Sequence, residues 1–430
     1  MNATYNKPVA LIQLPFPSQS EPDPLLNNYY ATYFNKYKQV FPQYQVEEND
    51  LWEAPLWIAH LDGALNRPDT EFLNFSRSLC ECEAIVQHIE ESVSSDYMLF
   101  FSPLAQNFSL CQAISRALIE RGYFTIVGGN MSNLADKQDF SFIYSGIARA
   151  TVYDEITRSH GSYEVSPVKG KNQVPLGYTP NYRHLRKFKN IPLVRLNASH
   201  GCLFACSFCG DAWSRQLHLV EPERLNNEIN ELRTLFPEVK LMYIGDKTFG
   251  QSKEAVANLI DLIRPEYQYE LIVQTHISVV TDTLIDQMKQ LGVKVVEIGF
   301  ETASSDVLKR LHKAGNEDEY RKVIRKMKDN NIKVILNVLG GLPYETQEST
   351  LQTQNFLLSV QEEVWLFNLY NFVPYPKTPL FDTLKPRIFD WNFANWREDK
   401  PPVYQPYYVS PEESWDLYLD TVRLATRLIN

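Results

Sequence analysis

Three cysteines within eight residues, Cys202, Cys206 and Cys209, stand in the segment SHGCLFACSFCG (residues 199–210) as a C-x3-C-x2-C pattern. Three thiolates on one tight loop suit a soft metal or an iron–sulfur cluster. Zinc favours four ligands and paired C-x2-C units. No cysteine follows Cys209, so His200 or His218 would have to complete a zinc site. In a four-iron cluster, three cysteines leave one iron without a protein ligand and open to a small molecule. The other cysteines, Cys80, Cys82 and Cys111, are scattered through the first third of the chain and are expected to be packed or inert thiols.

Such a loop must be positioned by the ends of several elements, and the chain supplies them. At 430 residues, and about 100–200 residues per domain, two domains are the simplest division. In the first part Val9–Leu14, Tyr97–Ser102, Phe124–Val127 and Phe142–Tyr144 read as strands, with helical patterns over 25–41 and Leu110–Arg121. This alternation implies an α/β fold, with a Rossmann-like parallel sheet domain over residues 1–165 and ligands at the carboxyl ends of its strands. Periodicity fades over 166–190, where a linker is expected. A second series occupies 191–385. Its strands read as Leu193–Leu196, Lys240–Ile244, Glu270–Gln274, Lys294–Gly299, Lys333–Val338 and Val364–Phe372. Helical stretches lie between them, at Glu223–Leu235, Glu254–Ile263, Leu284–Leu291, Asp318–Asn330 and Glu348–Ser359. Six such units predict a partial (β/α)6 barrel of TIM type, with its chemistry at the carboxyl ends of the strands. Residues 386–430, rich in Tyr, Trp and Pro before a closing helix, are expected to form a short C-terminal helical cap, lying over the barrel mouth or across its bottom.

With Phe208 in the aromatic position, the cysteine loop resembles the C-x3-C-x-aromatic-C signature of the radical S-adenosylmethionine (SAM) superfamily. The later strand ends follow that family's pattern in order. The resemblance implies a [4Fe-4S] cluster on Cys202, Cys206 and Cys209, whose open iron chelates SAM, and cleavage of SAM to methionine and a 5′-deoxyadenosyl radical. It implies cofactor contacts at Phe208, at Gly245 and Asp246 in IGDKTF, and at Gln274 ending the third strand. Glu301 and Thr302 in IGFET, Lys313 as a partner of the SAM carboxylate, Asn337, and Gly340 and Gly341 in LGGLPYET complete the set. In VPYPKTPLF, Lys377 replaces the glycine of the family's P-x-P-G-T-P-L turn. Tyr370 and Tyr375 are candidates for a catalytic role on position alone.

The first domain resembles the cobalamin-binding domain that precedes the barrel in one subclass of the family, through VALIQLP (9–15), SSDYMLFFS (94–102) and TIVGGN (125–130). Ser102, Pro103, Gln106 and the turn Gly128, Gly129, Asn130, Met131 would then border the corrin. Gly146-Ile147-Ala148-Arg149 departs from the family's G-E-G-E turn, and no D-x-H-x-x-G motif supplies a histidine beneath the cobalt. The subclass implies methylation of an unactivated carbon in a peptide or small natural product. Two readings stand beside it: a cobalamin-free radical SAM enzyme carrying out epimerisation, cyclisation or rearrangement, and a non-catalytic iron–sulfur or zinc module.

Composition limits the partners. With 52 acidic and 42 basic residues, the net charge of −10 leaves no broad basic field for nucleic acid or an anionic membrane. No stretch approaches the roughly 18 apolar residues of a membrane span, and the Val9–Leu14 run is too short for a signal peptide. A cytoplasmic protein is expected, with no nucleic-acid or membrane partner. Its substrate would be a small molecule or peptide, and the resemblance adds an electron donor such as flavodoxin or ferredoxin.

Overall fold

Runs such as MLFF and FTIV offer water almost nothing, so both faces must be covered, as in a parallel sheet clad by helices. The computed structural model describes residues 7–15, 23–43, 54–76, 81–165, 177–188, 191–210 and 217–429. Cys80 and much of the expected linker, 166–176 and 189–190, lie outside the described residues. The chain forms two compact units: Met1–Ser20, Val46–Asn190 and Asn392–Trp396 make the first, and Glu21–Gln45, Ile191–Trp391 and Arg397–Asn430 the second. Helix α1 (Pro24–Val40) therefore folds with the second unit although it lies early in the sequence.

The first unit is built on six parallel strands, β1 (Val9–Gln13), β2 (Glu71–Asn74), β3 (Met98–Phe101), β4 (Phe124–Val127), β5 (Phe142–Ser145) and β6 (Ser162–Glu164), in the order β2-β1-β3-β4-β5-β6. Its helices are α2 (Leu56–Leu65), α3 (Cys82–Ser92), α4 (Ala105–Glu120) and α5 (Val152–Arg158). The reversal of strand order between β1 and β3 opens a crevice at their carboxyl ends, where doubly wound sheets bind ligands. Cys111, on α4, is fully buried beside Phe108 and Ile114, and burial pushes its thiol well up, as suits a packing residue.

The second unit holds six parallel strands in sequential order: β7 (Val194–Leu196), then, beyond the small antiparallel hairpin β8 (Ser199–Gly201) and β9 (Leu217–Leu219), β10 (Leu241–Ile244), β11 (Glu270–Thr275), β12 (Val293–Glu301), β13 (Lys333–Gly340) and β14 (Leu366–Asn371). Strands β7 and β14 are the two edges of this sheet, so the barrel is partial and open, as the spacing of the βα units predicts. The helices are α6 (Pro222–Leu235), α7 (Lys253–Leu262), α8 (Asp282–Leu291), α9 (Ser305–Arg310), α10 (Glu317–Asp329), α11 (Gln347–Val360), α12 (Pro379–Leu384) and α13 (Pro411–Ile429). One face of the sheet is largely apolar: Leu196, Ile244, Val273, Ile298 and Leu336 are each fully buried.

An exposed edge strand invites pairing with other chains, and α1 covers the β14 edge. The Tyr29 hydroxyl donates to Phe367 O at 2.7 Å and accepts from Leu369 N–H at 3.0 Å, filling a place in the ladder that a further strand would take. Two turns along the same helix face, Tyr37 stacks on Trp365 with ring centroids 5.6 Å apart.

In the turn after β14, Lys377 has φ = 70°, the left-handed region in which side chains are strained. This explains why the family's pattern places glycine there. Lys377→Gly removes a strain of about 1–2 kcal/mol and adds about 0.5–1 kcal/mol of unfolded-state entropy. A stabilisation of up to about 1 kcal/mol is expected by thermal or urea unfolding, with no gain for Lys377→Ala.

Candidate active site

Gly201, at φ = 87°, turns the chain out of β8 into the cysteine loop. Three neighbouring loops then hold it. Ser207 donates to Leu311 O from its backbone N–H (2.9 Å) and its hydroxyl (3.1 Å), and its carbonyl accepts from Leu380 N–H at 2.9 Å. On the other side Gln251 accepts from Leu203 N–H and donates to Gly201 O. Cys202 and Cys206 are each 8% exposed and Cys209 is half-buried, while Phe208 stands half-buried between them in sequence. Burial pushes the Cys206 thiol to about 11; Cys209, Glu301 and Cys202 add to this, and Lys313 opposes it. The three thiols thus share one electrostatic environment. Among the described residues no group of three or more His, Cys, Asp or Glu is gathered as around a single ion. Three thiolates from one loop, with no cysteine after Cys209, fit a four-iron cluster that leaves one iron without a protein ligand.

The strand ends around the loop carry the expected residues, with differing roles. Asp246, after β10, is buried and fully engaged: Oδ1 accepts from Ala198 N (2.8 Å) and Ser199 N (3.0 Å), and Oδ2 from the Ser199 hydroxyl (2.5 Å). It fastens the approach to the cysteine loop. Burial raises its carboxyl to about 6 against the lowering effect of these bonds. The folded protein therefore binds this proton more tightly than the unfolded chain. The associated stability is complete in acid and is lost as pH rises through about 6. Asp246→Asn should flatten the fall in melting temperature between about pH 4 and about pH 7; thermal melts with an unchanged slope would contradict this. Gly245 is needed for space, since a Cβ there would stand 2.4 Å from Arg195 Nε and 2.5 Å from Asn197 Oδ1.

At the end of β12 the ladder with β13 shifts register between Gly299 and Glu301, and Glu301 takes φ = 68°. Such a bulge re-aims a side chain, and strain of this kind gathers at functional sites. Here it turns Glu301 to Lys313: Nζ lies 3.1 Å from Oε1, and both side chains are about a tenth exposed or less. A Cβ on Gly299 would meet both partners, at 2.8 and 3.1 Å, so glycine makes the room for the pair. Burial works to lower the Lys313 pKa, but Glu301, Tyr320 and Cys206 together raise it, so the ammonium stays charged. Thr302 points elsewhere: it is fully buried and its hydroxyl lies 2.9 Å from that of Thr353 on α11.

Gly340 and Gly341 serve close packing. A Cβ on Gly340 would stand 2.6 Å from Tyr418 of α13, and one on Gly341, at φ = 67°, would stand 2.1 Å from Asn371 Oδ1. Asn337, one turn of the pleat earlier on β13, has its Oδ1 buried with no hydrogen-bond partner among the described residues, as a ligand-facing acceptor would.

Asn337 belongs to a polar row along the second face of the sheet, much of which sequence reading misses. In register across the strands lie Arg195 and Tyr243, Gln274 and Glu297, and Asn337 and Asn368, with Tyr370 two residues farther along. The Tyr243 hydroxyl lies 3.2 Å from Gln274 Oε1 and 3.1 Å from Glu297 Oε2, and the Arg195 guanidinium sits 4.8 Å over the Tyr243 ring. Asn368 Nδ2 donates to the Tyr370 hydroxyl. Tyr375, beyond the strand, donates to Glu398 at 3.2 Å. The available signal was the alternation itself: V-R-L, V-V-E-I-G and L-F-N-L-Y each put a polar side chain inside a parallel strand that should otherwise be apolar on both faces.

In the first unit Ser102, Pro103 and Gln106 follow β3, and Gly128, Gly129 and Asn130 follow β4. Gly129 (φ = 75°) packs so closely that a Cβ would stand 2.6 Å from Ser102 Oγ. Met131, by contrast, is 1% exposed and packs inward. Leu104 and Ile147, 45% and 40% exposed, flank this end as apolar surface. Glycine at the close approach and apolar side chains beside it suit a broad flat ligand.

The model of the Radical SAM superfamily matches residues 196–357, from the last residue of β7 through most of α11. The chain carries a radical SAM domain. The matched stretch contains the cysteine loop, Asp246, Gln274, Glu301, Lys313 and Asn337. Among curated proteins, the bacteriochlorophyllide d C-12(1)-methyltransferase of Chlorobaculum tepidum is 23% identical over 309 residues, covering 63% of this chain and 62% of that protein. The anaerobic magnesium-protoporphyrin IX monomethyl ester cyclase of Rubrivivax gelatinosus is 24% identical over 236 residues, covering 53% and 41%. The chain therefore spans 62% and 41% of these two relatives' lengths, less than two thirds of either. In solved structures the whole fold recurs. The radical SAM methyltransferase TsrM from Kitasatospora setae, solved with cobalamin and a [4Fe-4S] cluster, matches with a TM-score of 0.66 at 13% identity, over 98% of this chain and 89% of TsrM. The cobalamin-dependent radical enzyme OxsB, solved with aqua-cobalamin and SAM, matches at 0.56 and 14% identity, over 98% and 61%.

Proposed function

We propose that the protein is a cobalamin-dependent radical SAM methyltransferase acting on an unactivated carbon of a small molecule or peptide. The observation that carries this reading is the joining of two things in one chain. One is a radical SAM domain with an intact three-cysteine loop; the other is a flavodoxin-like first unit whose switch-point end is glycine-lined and flanked by exposed Leu104 and Ile147. Fold likeness to TsrM and OxsB across 98% of the chain supports it. So does the first curated relative, which is named as a methyltransferase.

Cys202, Cys206 and Cys209 would hold three irons of a [4Fe-4S] cluster, which when bound supplies an open iron for SAM and the electron that cleaves its sulfonium. Lys313, charged and within electrostatic reach of Cys206, would stabilise negative charge there and is held by Glu301. Asp246 locks the entry to the loop through Ala198 and Ser199. Asn337 offers the buried Oδ1 as an acceptor for a polar cofactor or substrate group. Gln274 and Tyr243 fix Glu297 on the inner face of the sheet. In the first unit, Ser102, Gln106 and the Gly128–Asn130 turn would border a corrin, whose chemistry is methyl transfer. A one-electron donor protein such as a flavodoxin or ferredoxin, and a cytoplasmic setting, belong to the same reading; among the described residues no helix is long and apolar enough to cross a membrane.

Anaerobic purification with added hydroxocobalamin tests the cobalamin half of the proposal. A stoichiometric corrin absorption that survives gel filtration is expected. It should be lost when Gly129 is changed to Val, which would fill the close approach to Ser102. Protein that elutes without corrin would leave a radical SAM enzyme and remove the methyltransferase reading.

A further inference from the structure

The turn after β10 reaches one cysteine of the loop at its sulfur as well as at its backbone. Thr248 Oγ1 lies 3.6 Å from Cys202 Sγ, and the two residues are 4% and 8% exposed. Farther along the same turn, the Gln251 side chain bonds both neighbours of that cysteine. Its Oε1 accepts from Leu203 N–H at 3.1 Å and its Nε2 donates to Gly201 O at 3.2 Å. Cys202 is thus gripped on both sides and at its sulfur by the single stretch 248–251.

That stretch is itself fixed. Phe249 donates its N–H to Gln274 O and accepts from the Thr275 hydroxyl, both at 2.7 Å, which pins it to the end of β11. Gly250 takes φ = 89°, and a Cβ there would stand 2.4 Å from Leu284 Cδ2, so the turn has little room to shift. Ser252 then caps α7, its hydroxyl accepting from Ala255 N–H at 3.1 Å.

Between a thiol and a hydroxyl either group can donate. A thiolate bound to iron carries no proton and can only accept, so the hydroxyl is the donor once Cys202 is a ligand. A hydrogen bond to a charged acceptor is shorter and stronger than a neutral one, and the burial of both groups keeps water from competing. One electron passed to a cluster by its donor adds negative charge that the sulfurs share. A hydrogen bond at one of those sulfurs therefore stabilises the reduced form more than the oxidised one and raises the reduction potential. The hydroxyl keeps its proton throughout.

We propose that Thr248 hydrogen-bonds to the Cys202 thiolate and raises the potential of the cluster, acting on the reaction through Cys202 rather than on SAM. The inference rests on the proposed cluster, but it is read from the cluster's potential and not from turnover.

The test is an EPR-monitored reductive titration of the anaerobically reconstituted full-length protein without SAM. Thr248→Val keeps the shape and removes the hydroxyl. It should lower the midpoint, with the one-electron reduction constant falling by up to about tenfold, or about 59 mV. Thr248→Ala, a second variant without the hydroxyl, should shift in the same direction. Thr248→Ser, which restores a hydroxyl, should recover most of the wild-type value. Thr234→Val, at an exposed position of α6, should leave the potential unchanged. A wild-type potential in either variant lacking the hydroxyl, an upward shift, or a serine variant that titrates like the valine one would overturn the proposal. So would loss of iron from both Thr248→Val and Thr248→Ala, because a bond that tunes the potential is not needed for three thiolates to hold the cluster. Wild-type protein that binds no iron would instead refute the cluster reading, and this inference with it.

Discussion

Alanine at Cys206 is expected to abolish the chemistry while leaving the fold. Cys206 is nearly buried and feels the charges of Lys313, Cys209 and Cys202. An unliganded buried thiol with a pKa near 11 stays protonated at neutral pH, so iron must displace its proton, and a side chain without sulfur offers nothing to displace. Anaerobically reconstituted Cys206→Ala should hold little iron and lose its brown absorption. Formation of 5′-deoxyadenosine should fall by at least on the order of a thousandfold, since the whole reaction depends on the group removed. Cys202→Ala and Cys209→Ala should behave alike. Cys111→Ala, in the core of the first unit, should lose about 1 kcal/mol of stability and keep its iron, because that thiol only packs. Iron retained in Cys206→Ala would refute the ligand assignment.

The second large effect concerns the buried pair Glu301–Lys313. Removing one partner leaves an uncompensated charge in a site that water barely reaches, which costs about 3–5 kcal/mol. Lys313→Met should therefore lower the melting temperature by roughly 6–20 °C, on a scale of about 2–4 °C per kcal/mol. Adding Glu301→Leu should recover part of the loss, because it removes the stranded carboxylate. The pH dependence has a definite sign. The folded state raises the Lys313 pKa, so the pair's contribution is complete below the usual lysine range and is lost only as pH rises through the folded value. Equal melting of wild type and Lys313→Met would show that the pair is not formed.

The strands of both sheets were legible because each is an apolar run between helical patterns, and their ends fell within a few residues of the observed ones. The two exceptions are edge strands. β2 (EFLN) and β6 (SYE) are short and half polar, so no run marks them. The place of α1 was not legible either. A helix with tyrosines spaced four residues apart reads as amphipathic, but nothing local says that Tyr29 fits the open edge of a strand 340 residues away. At the site, motif order pointed to loops that the fold gathers at one end of the second sheet, without fixing what each side chain does there. Asp246 spends both oxygens on the loop entry, Thr302 turns to α11, and the Gly340–Gly341 turn makes space for Tyr418 and Asn371. Glu301 was found, but its bulge and left-handed backbone come from the register with β13, which a single strand does not carry. Arg195, Tyr243, Glu297 and Asn368 were missed because each sits inside a run that reads as uniformly buried.

The central claim is that the cysteine loop and its surrounding strand ends cleave SAM reductively. Quantifying 5′-deoxyadenosine after anaerobic incubation of reconstituted protein with SAM and dithionite tests it most directly. The account predicts that wild type forms it, with iron near four per chain as a four-iron cluster requires, and that none of the three cysteine variants does. Zinc-loaded, colourless wild-type protein that forms no 5′-deoxyadenosine would contradict it.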